Sequence, residues 1–388
     1  VEQSNIGGQR LNVNLQPDGN SGPYGVDCTN ATNELQFDIG SANCAMLPVN
    51  SFLEFDLSMG TTGVCAGSVD SVFDRIRILN QAGNAILDEP AQNIFSRVKQ
   101  IVMVSNENAS LNWEENMDQL CHADSGQTVF TTTRVRHIVK LKQAFWQQVK
   151  ALPLPIMGNL RLVLTMARDN QAFSVMPDYY RVDNPVLCVE LLPYEQSYLE
   201  KVRKIALAGG LLLNYTQTQW VNGSVANAGI NTITATFKAD SVRNLVAVHR
   251  FRANDTHATY EKLGKYQIPN QSATKAFSIY VEHGGNNYPS TRIQSYPRAY
   301  KFLKRTFKID GDMDAGNQIT RALYTSVDNT STNQSSLAPR FIIGIPLDNG
   351  VNNGLSTKDT PIKYVLEQED AVSGLSVDLF IQYDYTLI

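Results

Sequence analysis

"LSVDLFIQYDYTL", residues 375–387, decides what kind of chain this is. Leu375, Val377, Leu379, Ile381, Tyr383, Tyr385 and Leu387 occupy every second position, with Ser376, Asp378, Gln382 and Asp384 among the residues between them. Successive side chains of an extended strand point to opposite faces, so this spacing gathers the apolar groups on one face and leaves a wetter one opposite. A helix, at about 3.6 residues per turn, would scatter them. The stretch is predicted to be a strand.

The same period recurs upstream. Leu35, Phe37 and Ile39 alternate with Gln36 and Asp38; Leu53, Phe55, Leu57 and Met59 with Glu54, Asp56 and Ser58; and Leu160, Leu162, Leu164 and Met166 repeat the rule. Asn80-Gln81-Ala82-Gly83-Asn84 separates two short apolar runs, 76–79 and 85–87, which reads as a hairpin. Helical spacing is rarer. Ile94, Val98, Ile101 and Val102 share a face after Pro90, and Leu111 to Leu120 carries a weaker signal. From Glu195 to Ala208, Tyr198, Val202, Ile205 and Ala206 form a stripe that Gly209-Gly210 ends.

Strands at short spacing with a few helices in the connections point to an all-β architecture of sandwiches or jelly rolls. The strand series runs twice, from about residue 35 to 192 and again from 211 to 388, with the helix between; no residue-level repeat joins the halves. Residues 1–33, rich in Asn and Gly with one alternating patch at Leu11, Val13 and Leu15, read as an extended arm that orders against something else. Asp328 to Ser336 reads as a solvated loop.

Composition narrows the function. Net charge is −4 and charged residues make up 18% of the chain, with a pI near 5.8; a dedicated nucleic-acid-binding domain usually runs strongly basic. The cysteines, at 28, 44, 65, 121 and 188, are odd in number and form no C-x-x-C. They read as reduced thiols from an intracellular folding compartment. Sequons such as Asn30-Ala31-Thr32 and Asn214-Tyr215-Thr216 occur without a secretory context. The longest apolar run, Ile205 to Leu213, falls short of the ~18 residues a membrane helix needs.

The chemistry-bearing motifs are absent or incomplete. No G-x-S-x-G, phosphate-binding glycine loop or H-E-x-x-H occurs. Cys121-His122 is adjacent in sequence, which on a strand sends the two side chains to opposite faces. Asp310, Asp312 and Asp314 resemble the start of a calcium loop. The position that needs Gly holds Ala315, however, and the one that needs Glu holds Arg321. Glu114-Glu115 and the trio Glu367, Glu369 and Asp370 read as solvated faces. No residue is assigned to catalysis, to a cofactor or to a metal.

One basic and aromatic stretch remains, "YPSTRIQSYPRAYKFLKRTF" at 288–307. With Pro297 at the first helical position, Tyr300, Leu303 and Phe307 fall at i, i+3 and i+7, and Lys301, Lys304, Arg305 and Lys308 lie on another side. Base recognition needs aromatics and cations on one surface. Here they segregate, with Phe302 at the margin, so the stretch reads as a packing helix whose basic face is open to an acidic neighbour or to nucleic acid.

"SFLEFDLS" (51–58), "SVFDRIRILNQAGNAI" (71–86), "GNLRLVLTMA" (158–167), "VLCVELLPYEQSYLEKVRKIALAGGLLLNY" (186–215), "NYPSTRIQSYPRAYKFLKRTF" (287–307) and "FIIGIPLDNG" (341–350) together resemble the double jelly-roll major capsid proteins, nearest those of polinton-like viruses and virophages. The chain departs from them at Arg292, where relatives often carry a second proline. The resemblance implies two tandem eight-stranded jelly rolls at 34–195 and 211–388, joined by a helix at 196–210 and preceded by an arm at 1–33. It implies a homotrimer forming a pseudo-hexameric capsomer, which tiles an icosahedral shell around double-stranded DNA. Its partners would be neighbouring capsomers, penton and minor or cement proteins, with at most sparse, non-specific contact with packaged DNA. Its place would be the virion, after folding and assembly inside the host cell, and no enzymatic activity is implied. The residues alone leave open a two-domain β-sandwich carbohydrate-binding or adhesion protein, for which Trp113, Trp146 and Trp220 would be the stacking candidates, and a metal-dependent jelly-roll enzyme.

Overall fold

The computed structural model describes residues 10–18, 25–27, 33–40, 43–61, 63–65, 69–103, 128–130, 134–141, 143–149, 151–168, 172–175, 179–193, 195–209, 213–251, 266–309, 319, 321–325, 340–348 and 354–387. The first half contains strands β1 (Leu11–Leu15), β2 (Gly25–Asp27), β3 (Glu34–Ile39), β4 (Cys44–Met59), β5 (Gly63–Cys65), β6 (Phe73–Leu79) and β7 (Ala85–Glu89), then helix α1 (Gln92–Met103). After it come β8 (Thr128–Phe130), β9 (Val135–Lys140), β10 (Leu152–Pro153), the single turn α2 (Leu154–Met157), β11 (Leu160–Met166), β12 (Phe173–Val175) and β13 (Tyr180–Pro193). Helix α3 (Gln196–Gly209) leads into β14 (Leu213–Ser224), β15 (Gly229–Ala235), β16 (Val242–Phe251), β17 (Phe277–His283) and β18 (Asn286–Ile293). Helices α4 (Tyr296–Thr306) and α5 (Arg321–Tyr324) follow, then β19 (Ile342–Pro346), β20 (Ile362–Gln368) and β21 (Leu375–Leu387).

The second half shows its topology plainly. One sheet runs β14-β21-β16-β19 and the other β15-β20-β17-β18. Numbered within the half, the first strand pairs with the eighth, which pairs with the third, which pairs with the sixth; the second, seventh, fourth and fifth make the facing sheet. That interleaving is a jelly roll. The first half repeats it. Its sheets run β1-β13-β4-β10, with β2 also on β13 and β9 also on β4, and β3-β11-β6-β7. The positions match once β1 with β2 and β9 with β10 each count as one interrupted strand. A small sheet, β12-β5-β8, is added. The fold is a double jelly roll.

Two expectations change here. The Leu11–Leu15 patch is no free arm: it pairs antiparallel with Leu187–Leu191 of its own chain and supplies the first strand of the first roll. Its period-two apolar residues are the reason, since Val13 and Leu15 are half-buried on the sheet while the asparagines stay in water. The α3 stripe also differs. Val202 is half-buried one turn from the buried Leu199, whereas Ile205 is 59% exposed, so the stripe packs at its start and leaves the core by Ile205; Tyr198 and Ala206 have side chains outside the described set. The Leu111–Leu120 and 328–336 segments lie outside the described residues altogether.

Each roll has its own core, as the alternation demands. Leu35, Phe37, Leu53, Phe55, Leu160, Leu162 and Leu164 are wholly buried in the first, and Leu375, Val377, Leu379 and Ile381 in the second. At about 1.5–3 kcal/mol per buried aliphatic side chain, these rows supply the main drive for pairing the sheets. The predicted wetter face of β21 is buried too: Ser376, Asp378 and Phe380 are each under a tenth exposed. The cause is α1, an element of the first half whose Ile94, Phe95, Val98, Ile101 and Val102 join the core of the second roll.

Candidate functional site

The seam between the rolls carries the most unusual chemistry. Strand β7 is an edge strand of the first roll, so some of its carbonyls lack a ladder partner. The Ile86 carbonyl accepts a hydrogen bond from Tyr215 Oη at 2.5 Å and a second from Gln217 Nε2, both on β14 of the other roll. Gln217 Oε1 in turn accepts from Tyr383 Oη at 2.7 Å. Tyr215 reaches into the first roll's core, with Leu213 and Tyr385 packed beside it. The exchange is mutual: α1 enters the second core and the ends of β14 and β21 enter the first.

Glu89 ends β7 inside this seam and is 2% exposed. Burial raises its carboxyl pKa above the ordinary range, opposed by the Lys99 ammonium and a hydrogen bond with Thr218. A carboxyl favoured in its neutral form is consistent with so dry a place. Burial also pushes the Tyr383 phenol up to about 12.

A second buried polar group lies on the outer face of the second roll. Asp378 accepts from Arg250 Nε, from Trp220 Nε1 at 3.0 Å and from Asn222 Nδ2 at 2.9 Å. Arg250 and Asp378 are wholly buried, and three donors on one carboxylate are what a buried charge requires. Next to Arg250, His249 places Nε2 3.1 Å from the Tyr364 hydroxyl. Burial holds this imidazole down to about 3, with the Asp378 charge pulling the other way. These polar groups are shut off from solvent and satisfy one another.

Helix α4 confirms the segregated reading of 288–307. Ala299, Leu303 and Thr306 are buried, and Tyr296, Tyr300, Phe302 and Phe307 pack against the second core. Gly344 on β19 lets the helix approach this closely: a β-carbon there would lie 2.5 Å from Thr306 Oγ1 and 3.0 Å from Leu303 Cα. Lys301, Arg305 and Lys308 remain exposed. The departure at Arg292 has a local role, since its guanidinium lies 4.3 Å from the Tyr280 ring centroid and 3.6 Å from Glu367.

The remaining candidates gather nowhere. Cys121, His122, Glu114, Glu115, Trp113, His257, Asn30 and 310–314 lie outside the described residues. Cys44 and Cys188 are buried free thiols. His137 is buried, and Asn214 is tied to Thr386 at 2.7 Å. Glu369 and Asp370 face Lys275 on the surface. Among the described residues no three His, Cys, Asp or Glu side chains come together as metal ligands would, and no helix is long and apolar enough to cross a membrane. The surface charges are instead matched locally: Arg75 with Asp88, Arg161 with Asp38, Arg136 with Glu54 and Asp56, Arg243 with Asp384.

Sequence gave little warning of the seam. The one signal is a carboxylate pair, Asp88-Glu89, closing an apolar strand just before Pro90. Nothing local says which roll α1 will join.

No family model matches the sequence, and no curated protein matches it. Solved structures do match. The PBCV-1 virus capsid aligns over 98% of this chain and 94% of its own at TM-score 0.58 and 12% identity. The Faustovirus major capsid protein aligns over 98% and 90% at TM-score 0.56 and 8% identity. The Sputnik virophage structure aligns over 97% and 85% at TM-score 0.54 and 13% identity. The fold is that of the double jelly-roll major capsid proteins. Both rolls and the join between them take part in these alignments, so the likeness extends over the double jelly roll as a unit.

Proposed function

We propose that this chain is a major capsid protein, which associates as a homotrimer and tiles an icosahedral shell around a double-stranded DNA genome. The observation that carries the reading is the fused pair of rolls with exchanged core elements, aligned nearly end to end with capsid structures. In this reading residues 34–195 and 211–388 carry most of each roll and 196–210 link them, with β1 and β2 completing the first. Two rolls held rigidly side by side give one third of a six-lobed block, and closed threefold symmetry completes it. The partners are copies of itself within and between capsomers, together with penton and minor or cement proteins, and the work done is self-association without catalysis. The carbohydrate-binding alternative gains no support, because Trp146 is buried and Trp220 is held by Asp378.

Sedimentation of the purified chain tests this. A species at three times the 43.0 kDa chain mass, with a hexagonal outline by electron microscopy, is the expected result. A monodisperse monomer across physiological salt and pH overturns it.

A further inference from the structure

Helix α1 belongs to the first half of the chain by sequence and to the second core by packing. Its apolar anchors, Ile94, Phe95, Val98, Ile101 and Val102, are all buried. The group just ahead of it is polar. Glu89 is shut inside the seam, and its Oε2 has no hydrogen-bond partner among the described residues. A carboxyl group can stay in such a place while it carries a proton. A carboxylate with an empty oxygen needs water or a cation.

The groups that act on Glu89 come from every element around it. Asp88, its neighbour on β7, is held by Arg75 of β6 and raises its proton affinity. Lys99 of α1 lowers it, and Thr218 of β14 shares a hydrogen bond with it. The phenols of Tyr215 and Tyr383, on β14 and β21, feel its charge. Elsewhere on α1, Ser96 donates to Asp70 and Arg97 is buried. Lys99 Nζ lies 4.4 Å from the centroid of the Phe95 ring, the ring that stacks on Phe380. One ammonium thus stands between the carboxyl and the packed ring. An ionised Glu89 either draws it off the Phe95 face or remains a bare charge in a dry seam. Both weaken the docking of α1, and undocking lets water reach the carboxylate.

We propose that Glu89 is a latch for α1: protonated, it keeps the helix docked on the second roll, and losing the proton lets the helix go. The two cores are separate, so α1 can leave without either sandwich unfolding. The joint between the rolls is then stiff in acid and looser in alkali. The device lies within one chain and does not depend on how copies assemble.

Hydrogen exchange read by mass spectrometry on the full-length protein tests this. The pH series runs from the ordinary carboxyl value of 4.5 into the alkaline range, with intrinsic exchange rates divided out. A 12-residue helix keeps little protection on its own in water, so exchange of the 92–103 amides reports undocking. The undocked carboxyl titrates near 4.5 and the docked one higher. Protection of α1 should therefore be full below 4.5 and fall about tenfold per pH unit above it. It should level off once the docked form has lost its proton too. Amides of β16 and β11 should stay better protected than those of α1 at every pH. Glu89→Gln should hold α1 protection flat. Lys99→Met should move the levelling-off point up in pH and Asp88→Asn should move it down, opposite shifts that a general loss of stability does not produce. A Glu89→Gln protein whose α1 loosens in step with the unaltered one overturns the latch. So does α1 protection that ignores pH or equals that of β16, and so do shifts of one sign in the other two variants. Sedimentation of the same samples reads the capsid proposal separately: a monomer with the expected α1 profile defeats that reading and leaves the latch standing.

Discussion

Phe95 and Phe380 lie ring on ring, 4.7 Å between centroids and 17° between planes, one from the first roll and the other from the last strand of the second. Around them Tyr266 Oη donates to the Ile94 carbonyl at 3.4 Å, so α1 is fastened to the second roll by packing and by a hydrogen bond. The two rolls have separate sheets and separate cores, each completed by side chains from the other half.

Phe95→Ala should therefore cost about 3–5 kcal/mol, the usual loss for emptying a buried aromatic site. Because the cavity opens at the seam, both rolls should feel it. Denaturant unfolding followed by tryptophan fluorescence, with Trp146 in one roll and Trp220 in the other, should remain a single transition at a lower midpoint. Two separated transitions would show the rolls to be independent.

Glu89→Gln should stabilise the protein at neutral pH. The native carboxyl titrates higher than the unfolded one, whose ordinary value is 4.5. The native state thus holds its proton longer, and stability declines as pH rises from there through the native pKa. The amide cannot ionise, so the variant's advantage should grow over that window, to about 1–3 kcal/mol, the scale of a buried polar group left short of partners. Melting temperature against pH for the two proteins reads it directly; parallel curves would refute the assignment.

His249 works in the opposite direction. Held at about 3 in the fold against 6.5 when free, it stays neutral while the unfolded chain takes up a proton. Its contribution to stability is complete above 6.5 and drains away as pH falls toward 3. His249→Gln should flatten the acid limb of the stability curve over that range while lowering stability near pH 7 by about 1–2 kcal/mol through the lost partner of Tyr364. An unchanged acid limb would exclude His249 as its source.

Gly344→Ala should displace α4, since its β-carbon would fall within 2.7 Å of both Thr306 Oγ1 and Thr306 Cβ. Overpacking of this kind costs about 1–3 kcal/mol. Thr306→Gly added to it should recover part of the clash but not all, because Leu303 Cα is 3.0 Å away and is backbone. Thermal denaturation of the single and double variants checks the order.

Much of this architecture is written in the sequence as alternation. Leu53, Phe55 and Leu57, and Leu375 through Ile381 at every second residue, name the buried face of their strands without reference to the rest of the chain. Alternation does not say what covers the other face. Asp378 and Phe380 looked like solvent positions, and only the arrival of α1 and Arg250 from distant sequence buries them. Leu11–Leu15 was legible as an alternating patch but its partner was not, because the edge it pairs with, Leu187–Leu191, lies far along the sequence. Glu89 was invisible because its burial comes from the neighbouring roll. By contrast the α4 wheel was readable, since the helix segregates its aromatic and basic sides within eleven residues.

The local matching of Arg75 with Asp88, Arg161 with Asp38 and Arg243 with Asp384 has a further effect. Where plus and minus sit a few ångströms apart, their fields cancel at longer range, and like copies can crowd edge to edge with little mutual repulsion for salt to screen. Copies matched in this way should tolerate wide swings in ionic strength where they meet edge to edge.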